Sequence, residues 1–380
     1  MRKKFLKGIT WNHSRGYTPV VSTSQRFNEL NPEVEITWEK RTLQDFADES
    51  LLELSQEYDL LVIDHPWVGY AAAHENLLPL DKYLDKKVIT GQSENSVGRS
   101  FESYSYEGHE WALPIDAATP VAAYREDLFK EKGGHLPETY KEVLDLASEG
   151  KVAVPGIPID SLMNFYMFCA TLGEEPFLSK ETVVSFEIGT EALQLQRELL
   201  VKVDKRCFDW NPIRVYEMLS KTDEFMYCPF AYGYTNFARE GYANHRLRFH
   251  DLVSLRGNKK LRSTLGGTGI AVSAQTKEVE AALSYVEYIT SEHCQKTLFF
   301  DAGGQPAHGR AWDNKNTNFQ CDGFFKDTLP AYERAYLRPR YNRYLEFQDY
   351  AGDVVRDYLM HGGGEKQILQ KLNELYFKTI

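Results

Sequence analysis

The sequence predicts an α/β protein built around parallel strands, and three observations carry that prediction. Apolar runs alternate with amphipathic stretches from the first residues onward, in a β-α-β-α-β order that implies a parallel sheet with right-handed crossovers. Three apolar runs lead straight into loops rich in polar, aromatic and turn-forming residues. These are Trp11-Asn12-His13-Ser14-Arg15-Gly16, Asp64-His65-Pro66-Trp67 and Leu113-Pro114-Ile115-Asp116-Ala117-Ala118-Thr119-Pro120. Loops at the carboxyl ends of strands in an open α/β sheet converge on one crevice, so these three argue for a pocket holding a small polar molecule. The length, 380 residues, suggests two or more domains, each long enough to bury its own core.

Residues 5–10 read as a short strand, followed by the polar loop 11–16 and a helix over 19–31 that ends before Asn31-Pro32. Val34-Glu35-Ile36-Thr37-Trp38-Glu39 alternates as a half-buried strand does. Leu43–Leu54 reads as a helix. Tyr58–Asp64 is a continuous apolar run between charges, the pattern of a central parallel strand. An extended segment over 111–125 leads out of this first unit. Pro137 opens a helix with Thr139 and Glu142 in capping-box spacing. Lys151–Pro155 reads as a strand, followed by helices over 160–173, 188–202 and 212–221. Phe225–Phe230 is a further strand, leading into an aromatic loop at Tyr232, Tyr234 and Phe237. Leu265–Ser273 is glycine-rich and extended, a long amphipathic helix covers 276–299, and Gly303-Gly304-Gln305-Pro306 is a turn signal. The last helix, 365–377, places Ile368, Leu369, Leu372, Leu375 and Tyr376 on one face. The chain has no internal repeat, low-complexity tract or long linker, so two lobes would exchange the chain more than once.

The composition, 42% hydrophobic and 26% charged, is that of a globular protein, and the formal net charge of −11 disfavours nonspecific nucleic-acid binding. The five cysteines, Cys169, Cys207, Cys228, Cys294 and Cys321, are widely spaced and include no Cys-x-x-Cys, so neither a disulfide framework nor a zinc site is expected. Free cysteines fit a reducing compartment. Met1-Arg2-Lys3-Lys4 resembles the start of a signal peptide, but Lys7 and Gly8 interrupt the apolar run that should follow. No stretch is apolar enough to span a membrane. No cofactor and no metal are expected.

Several separated motifs resemble the family 1 extracellular solute-binding proteins, the sugar-type receptors of ABC importers. Leu113-Pro114-Ile115-Asp116, then Thr119, Val121, Tyr124, Arg125 and Asp127-Leu128-Phe129, is similar to that family's first crossing between lobes, with Arg125 where Asn is usual. Leu136-Pro137-Glu138-Thr139-Tyr140-Lys141-Glu142 resembles its Pro-x-Thr-Trp-x-Glu helix start. Gly266-Gly267-Thr268-Gly269-Ile270-Ala271-Val272 resembles its second crossing, and Gly303-Gly304-Gln305-Pro306-Ala307 its Gly-x-x-Pro turn. The resemblance implies a two-lobed, type II periplasmic-binding-protein-like fold. Each lobe would be a mainly parallel sheet flanked by helices, with a hinge closing on the ligand. Residues 1–115 with about 265–310 would form one lobe, and about 116–264 with 311–380 the other.

Each candidate site residue carries a functional and a structural alternative. Trp11 can stack on a sugar face or pack against the next helix; Asn12 and His13 share its loop. Arg15 can clamp a carboxylate bidentately or pair with a surface acid. Asp64 can accept from ligand hydroxyls or cap the following helix. His65 titrates near neutrality, and Trp67 adjoins it. Arg41 reaches the cleft or solvates its rim. Asp116 and Thr119 lie on the first crossing; the resemblance implies a ligand or hinge role for Asp116, with a turn-forming Asp as the alternative, and Thr119 is a ligand-contact candidate. Tyr232 and Tyr234 could supply an opposing wall or be core, and Gly267 and Thr268 could bring backbone amides to a ligand. The glycines at 266, 267 and 269 do not fit a nucleotide-binding pattern. Arg338, Arg340 and Arg343 among acids and tyrosines read as a solvated or cleft-edge face rather than a nucleic-acid surface.

The reading favoured is a monomeric, non-catalytic binding protein for a carbohydrate or sugar acid, working by hinge closure. The Arg and His content tilts it toward a carboxylated ligand. An ABC permease would be its partner if the protein is exported. The resemblance implies an extracytoplasmic location; the sequence as written, with no signal peptide or lipobox, implies a cytoplasmic one. The rival is a cytoplasmic enzyme or sensor on the same scaffold, with His13, His65, Asp64 and Asp116 for acid–base chemistry.

Overall fold

A computed structural model describes residues 2–42 and 50–380. The chain divides into two compact units. The first comprises Met1–Ala118, Gly266–Phe319 and Arg340–Asn342, and the second Thr119–Leu265, Gln320–Pro339 and Arg343–Ile380. The strands of the two larger sheets are, in chain order, β1 (Lys4–Trp11), β2 (Val34–Arg41), β3 (Leu60–Ile63), β4 (Leu113–Ala118), β5 (Pro120–Tyr124), β6 (Tyr227–Tyr232), β7 (Arg248–His250) and β8 (Gly266–Val272).

In the first unit the sheet order is β2-β1-β3-β8-β4. β1 runs parallel to β2, with Trp11 opposite Arg41, and parallel to β3. β3 is buried along its whole length, as a continuous apolar run between charges requires. Its side chains alternate between two cores. Leu60 and Val62 join Leu6, Ile36, Ile115 and Ile270 against the helices Tyr17–Leu30 and Val279–Thr290. Leu61 and Ile63 join Ile9 and Ala271 against Leu51, Leu54, Val68 and Tyr104. Period-two alternation thus buries both faces of one strand.

The expectation of a mainly parallel sheet in each lobe needs correction. β8 is antiparallel to β3 and to β4, pairing Gly269 with Ile63 and Thr268 with Asp116. The chain re-enters the first unit at Gly266, on the edge where β3 and β4 end, so β8 must run back against them. The first sheet is therefore mixed. The sheet of the second unit, β6-β5-β7, is antiparallel throughout. The strand expected over Lys151–Pro155 contributes only a parallel bridge from Val152 to Tyr227. Pro155, which has no N–H to give a ladder, ends it.

Other elements also shift. Of the helix expected over 43–54, residues 43–49 lie outside the described residues, and Leu51–Glu57 is helical. The long helix expected over 276–299 breaks at Ser291, whose hydroxyl accepts from Cys294 N and starts a new turn. The capping box stands as expected: Thr139 and Glu142 satisfy each other's amides at the start of Tyr140–Ser148. Arg338 is buried with its guanidinium on Gln348 Oε1 at 3.0 Å, so the solvated-face reading fits Arg343 and not Arg338. All five cysteines are free and buried. No helix among the described residues is long and apolar enough to cross a membrane.

Candidate functional site

The register of the first sheet places the sequence candidates. β1, β2, β3 and β4 all end on one edge, and antiparallel β8 begins there. That edge gathers Trp11, Asn12, His13, Arg15, Arg41, Asp64, His65, Trp67, Asp116, Gly267 and Thr268, residues separated by up to 257 positions in sequence. Five chain segments thus supply one patch of polar and aromatic side chains, the arrangement that strand-end loops produce.

Its centre is an ion pair. Arg15 and Asp116 are both buried, and the guanidinium meets the carboxylate side-on, Nε at 2.7 Å from Oδ2 and Nη2 on Oδ1. The fork geometry is that of a bidentate pair. Burial raises the Asp116 carboxyl above its ordinary range, and the charge and hydrogen bonds of Arg15 act against that. His13 accepts from Arg15 N at its Nδ1, 3.0 Å away. Burial, with the Arg15 charge added, pushes the His13 imidazole down to about 4, so it is neutral at pH 7.

Asp64, just before the helix Trp67–His74, accepts at its Oδ1 from His65 N at 2.8 Å and lies 3.2 Å from His65 Nδ1. His65 is itself fully buried, edge-on to Tyr104. Trp67 is half-buried and T-shaped against Tyr70. Arg41 is buried, so the reading that it solvates a rim is set aside. Asn12 is exposed and donates its N–H to Arg41 O.

Gly267 is required by close approach. Its φ is +104°, and a Cβ there would stand 2.3 Å from Asp116 O. Thr268, next to it, is buried with no hydrogen-bond partner for its hydroxyl among the described residues. Such a group is costly unless something supplies the missing bond.

The remaining candidates belong to the second unit, which has its own edge. β5 begins where β6 ends, with Pro120 opposite Tyr232. Thr119 is fully buried, its hydroxyl 2.7 Å from Ser263 Oγ and 3.1 Å from Thr264 O, so it serves the crossing's own structure. Tyr216 OH donates to the carbonyls of Ala231 and Tyr232, and its ring meets Tyr234. Sequence reasoning passed over Tyr104, which fills the space above Gly269 and donates to Ile63 O at 3.3 Å. No local motif marks it.

A family model described as bacterial extracellular solute-binding protein matches residues 23–311, a span that includes β2, β3, β4, β8 and every site segment but the first loop. The chain belongs to the bacterial extracellular solute-binding proteins. Solved structures similar to this solute-binding protein agree in fold. Maltose-bound MalE3 of T. maritima superposes with a TM-score of 0.83 at 16% identity, covering 98% of this chain and 99% of that one. A solute-binding protein of Agrobacterium radiobacter K84 in complex with ribitol gives 0.84 at 17%, covering 100% and 99%. At such identity the likeness establishes the fold alone, the two-lobed type II periplasmic-binding-protein fold. Among curated proteins, the maltotriose-binding protein of Pyrococcus abyssi is 26% identical over 125 residues. That match spans 33% of this chain and only 26% of the relative's length.

Proposed function

We propose that this solute-binding protein captures an uncharged carbohydrate or polyol at the carboxyl edge of its first sheet. It would then present the ligand, outside the cytoplasmic membrane, to an ABC permease. The observation that carries the reading is the Arg15–Asp116 pair on the same sheet edge as Asp64 and Thr268. Asp64, a carboxylate able to accept from hydroxyls, and the Thr268 hydroxyl, buried with no partner among the described residues, suit a polyhydroxylated molecule, whereas Trp11 is buried in the core with its ring over Gly16, as the structural alternative has it. The relatives named above support the class, being described as binding maltotriose, maltose and ribitol.

The tilt toward a carboxylated ligand loses the support of Arg15 and His13, leaving Arg41 as its remaining basis. Arg15 already holds a carboxylate on its fork, and His13 is uncharged at neutral pH, so neither offers a cation to an acid. Asp64, at the same edge, would repel one. The relatives named above are described by what they bind and none by a reaction, so the enzyme reading gains no support.

Calorimetry with maltose, maltotriose, ribitol, D-mannitol and D-glucuronate tests the reading. At least one neutral compound should bind with Kd in the micromolar range or tighter, and glucuronate should bind at least tenfold more weakly. Tightest binding by the acid would overturn the ligand class. Small-angle scattering with and without the bound compound checks the hinge closure that the family resemblance implies.

A further inference from the structure

The short segment Arg340–Asn342 groups with the first unit, whereas the residues on either side of it, to Pro339 and from Arg343, belong to the second. Two contacts fix this strap on the first unit. Arg340 Nη1 donates to Ser105 O at 2.8 Å and to Glu102 O. Its own carbonyl presses on the helix Trp67–His74, where a Cβ on Gly69 would stand 1.7 Å from Arg340 O. That helix follows directly from Asp64-His65-Pro66 of the binding edge. The segment that Arg340 grips also reaches that edge, since Tyr104 bonds Ile63 O and packs on His65. The strap therefore touches the binding loop by two routes.

A buried carboxyl lies beside this grip. Glu110 is 4% exposed. Its Oε2 accepts from Ser105 Oγ, its N–H donates to Asp81 Oδ1 at 2.9 Å, and its Oε1 is buried with no hydrogen-bond partner among the described residues. Asp81 faces it from the turn Leu80–Lys82, with Oδ2 3.0 Å from His109 Nδ1. Arg340 faces it from the strap. Glu102, paired with Arg99, and Tyr106 adjoin Arg340. Burial pushes the Glu110 carboxyl up to about 8; the Ser105 bond opposes this, Asp81 adds to it and Arg340 opposes it.

We propose that Arg340 is a positioning residue for the binding edge, latching the strap behind Asp64–Trp67, and that the proton on Glu110 sets how firmly the latch holds. With Glu110 neutral, the guanidinium holds the carbonyls of Glu102 and Ser105. When the proton leaves to solvent, a buried carboxylate appears beside the same cation, with one oxygen lacking a donor. The guanidinium is drawn to it and the grip on the carbonyls weakens. The strap then loosens from Gly69, and the loop loses its brace.

The inference rests on the first-sheet edge being the binding site, but its test needs no ligand. The indole N–H resonances of the six tryptophans are followed from pH 7 to 9.5 in the intact protein. Trp111, whose Nε1 donates to Tyr106 O at 3.0 Å, reports on Glu110, and Trp67 reports on the braced helix. Both should titrate with one midpoint near 8. Glu110→Gln should abolish both titrations. Arg340→Ala should raise the Trp111 midpoint and flatten Trp67, Arg340→Lys should restore the midpoint, and Asp81→Asn should lower it. Titration of Trp111 without Trp67, or titrations unchanged in Glu110→Gln, would overturn the proposal, and wild type alone decides the first of these. For a carbohydrate that binds, Arg340→Ala should raise Kd about tenfold and Arg340→Lys by less. A flat NMR titration with intact binding refutes the latch and not the ligand class, and the converse result separates them the other way.

Discussion

A guanidinium that already holds a buried carboxylate offers a neighbouring ligand a surface without net charge. Removing one partner of such a pair leaves the other charged and buried, which costs roughly 3–5 kcal/mol. Arg15→Leu and Asp116→Leu should each destabilise the protein by about that much in urea, while the double substitution should lie closer to wild type. Additive losses would show that the two do not act as a pair. Asp160 provides a second residue-scale expectation. It sits in the first turn of the helix Pro158–Leu172, buried, with Oδ2 lacking a partner among the described residues, and burial alone pushes its carboxyl up to about 8. The unfolded chain would ionise near 4. Below pH 4 both states hold the proton and the full stability is present. As pH rises from 4 toward 8 the unfolded state loses its proton first, and stability falls across that window. Asp160→Asn should therefore gain on wild type between pH 5 and 8, as read by denaturation midpoints. An equal gap at both would refute this. Individual site residues were legible as polar and aromatic side chains after apolar runs. The joining of Arg15 to Asp116, 101 positions apart, was not, because no local pattern encodes a partner from another strand.

Elements were legible where local chemistry is self-sufficient. The helix Tyr140–Ser148 starts where Thr139 and Glu142 close a capping box, and the backbone amides of Glu138 and Thr139 hold the Glu142 carboxyl down to about 2. Thr139→Ala should cost about 1 kcal/mol in thermal or chemical denaturation. β3 was equally plain, a short apolar run between charges of the kind a central strand buries on both faces. Direction and length were less so. β8 carries no mark of being antiparallel, and the break at Ser291 depends on one hydroxyl turning back to Cys294 N. Arg125, the departure from the usual family pattern, illustrates a helix end served from afar. It is buried, holds Asp127 bidentately, and donates to the carbonyls of Leu219 and Thr222 at the end of Pro212–Lys221. Helix ends leave such carbonyls without partners. Arg125→Ala should expose the defect as faster amide exchange in the last turn of that helix; unchanged exchange would show that water replaces the guanidinium.

At the scale of the whole molecule, the length and the scattered crossing motifs were enough to expect two lobes, whereas the small return of Arg340–Asn342 to the first unit left no trace in composition. The placing of β8 has a consequence for how the chain comes to be folded. Among the described residues β4 meets the first sheet through β8, and β8 is made after the 147 residues of Thr119–Leu265 have been synthesised. Pairing across so long an interval is slow, because the loop must be closed before the contacts are gained. A nascent chain halted before Gly266 should leave open to exchange the amides of β4 and those of β3 that face β8 rather than β1; protection of these at that length would contradict the topology. The amino-terminal sheet thus stays unfinished for most of translation, and β4 waits without its strand neighbour until Thr119–Leu265 has been made.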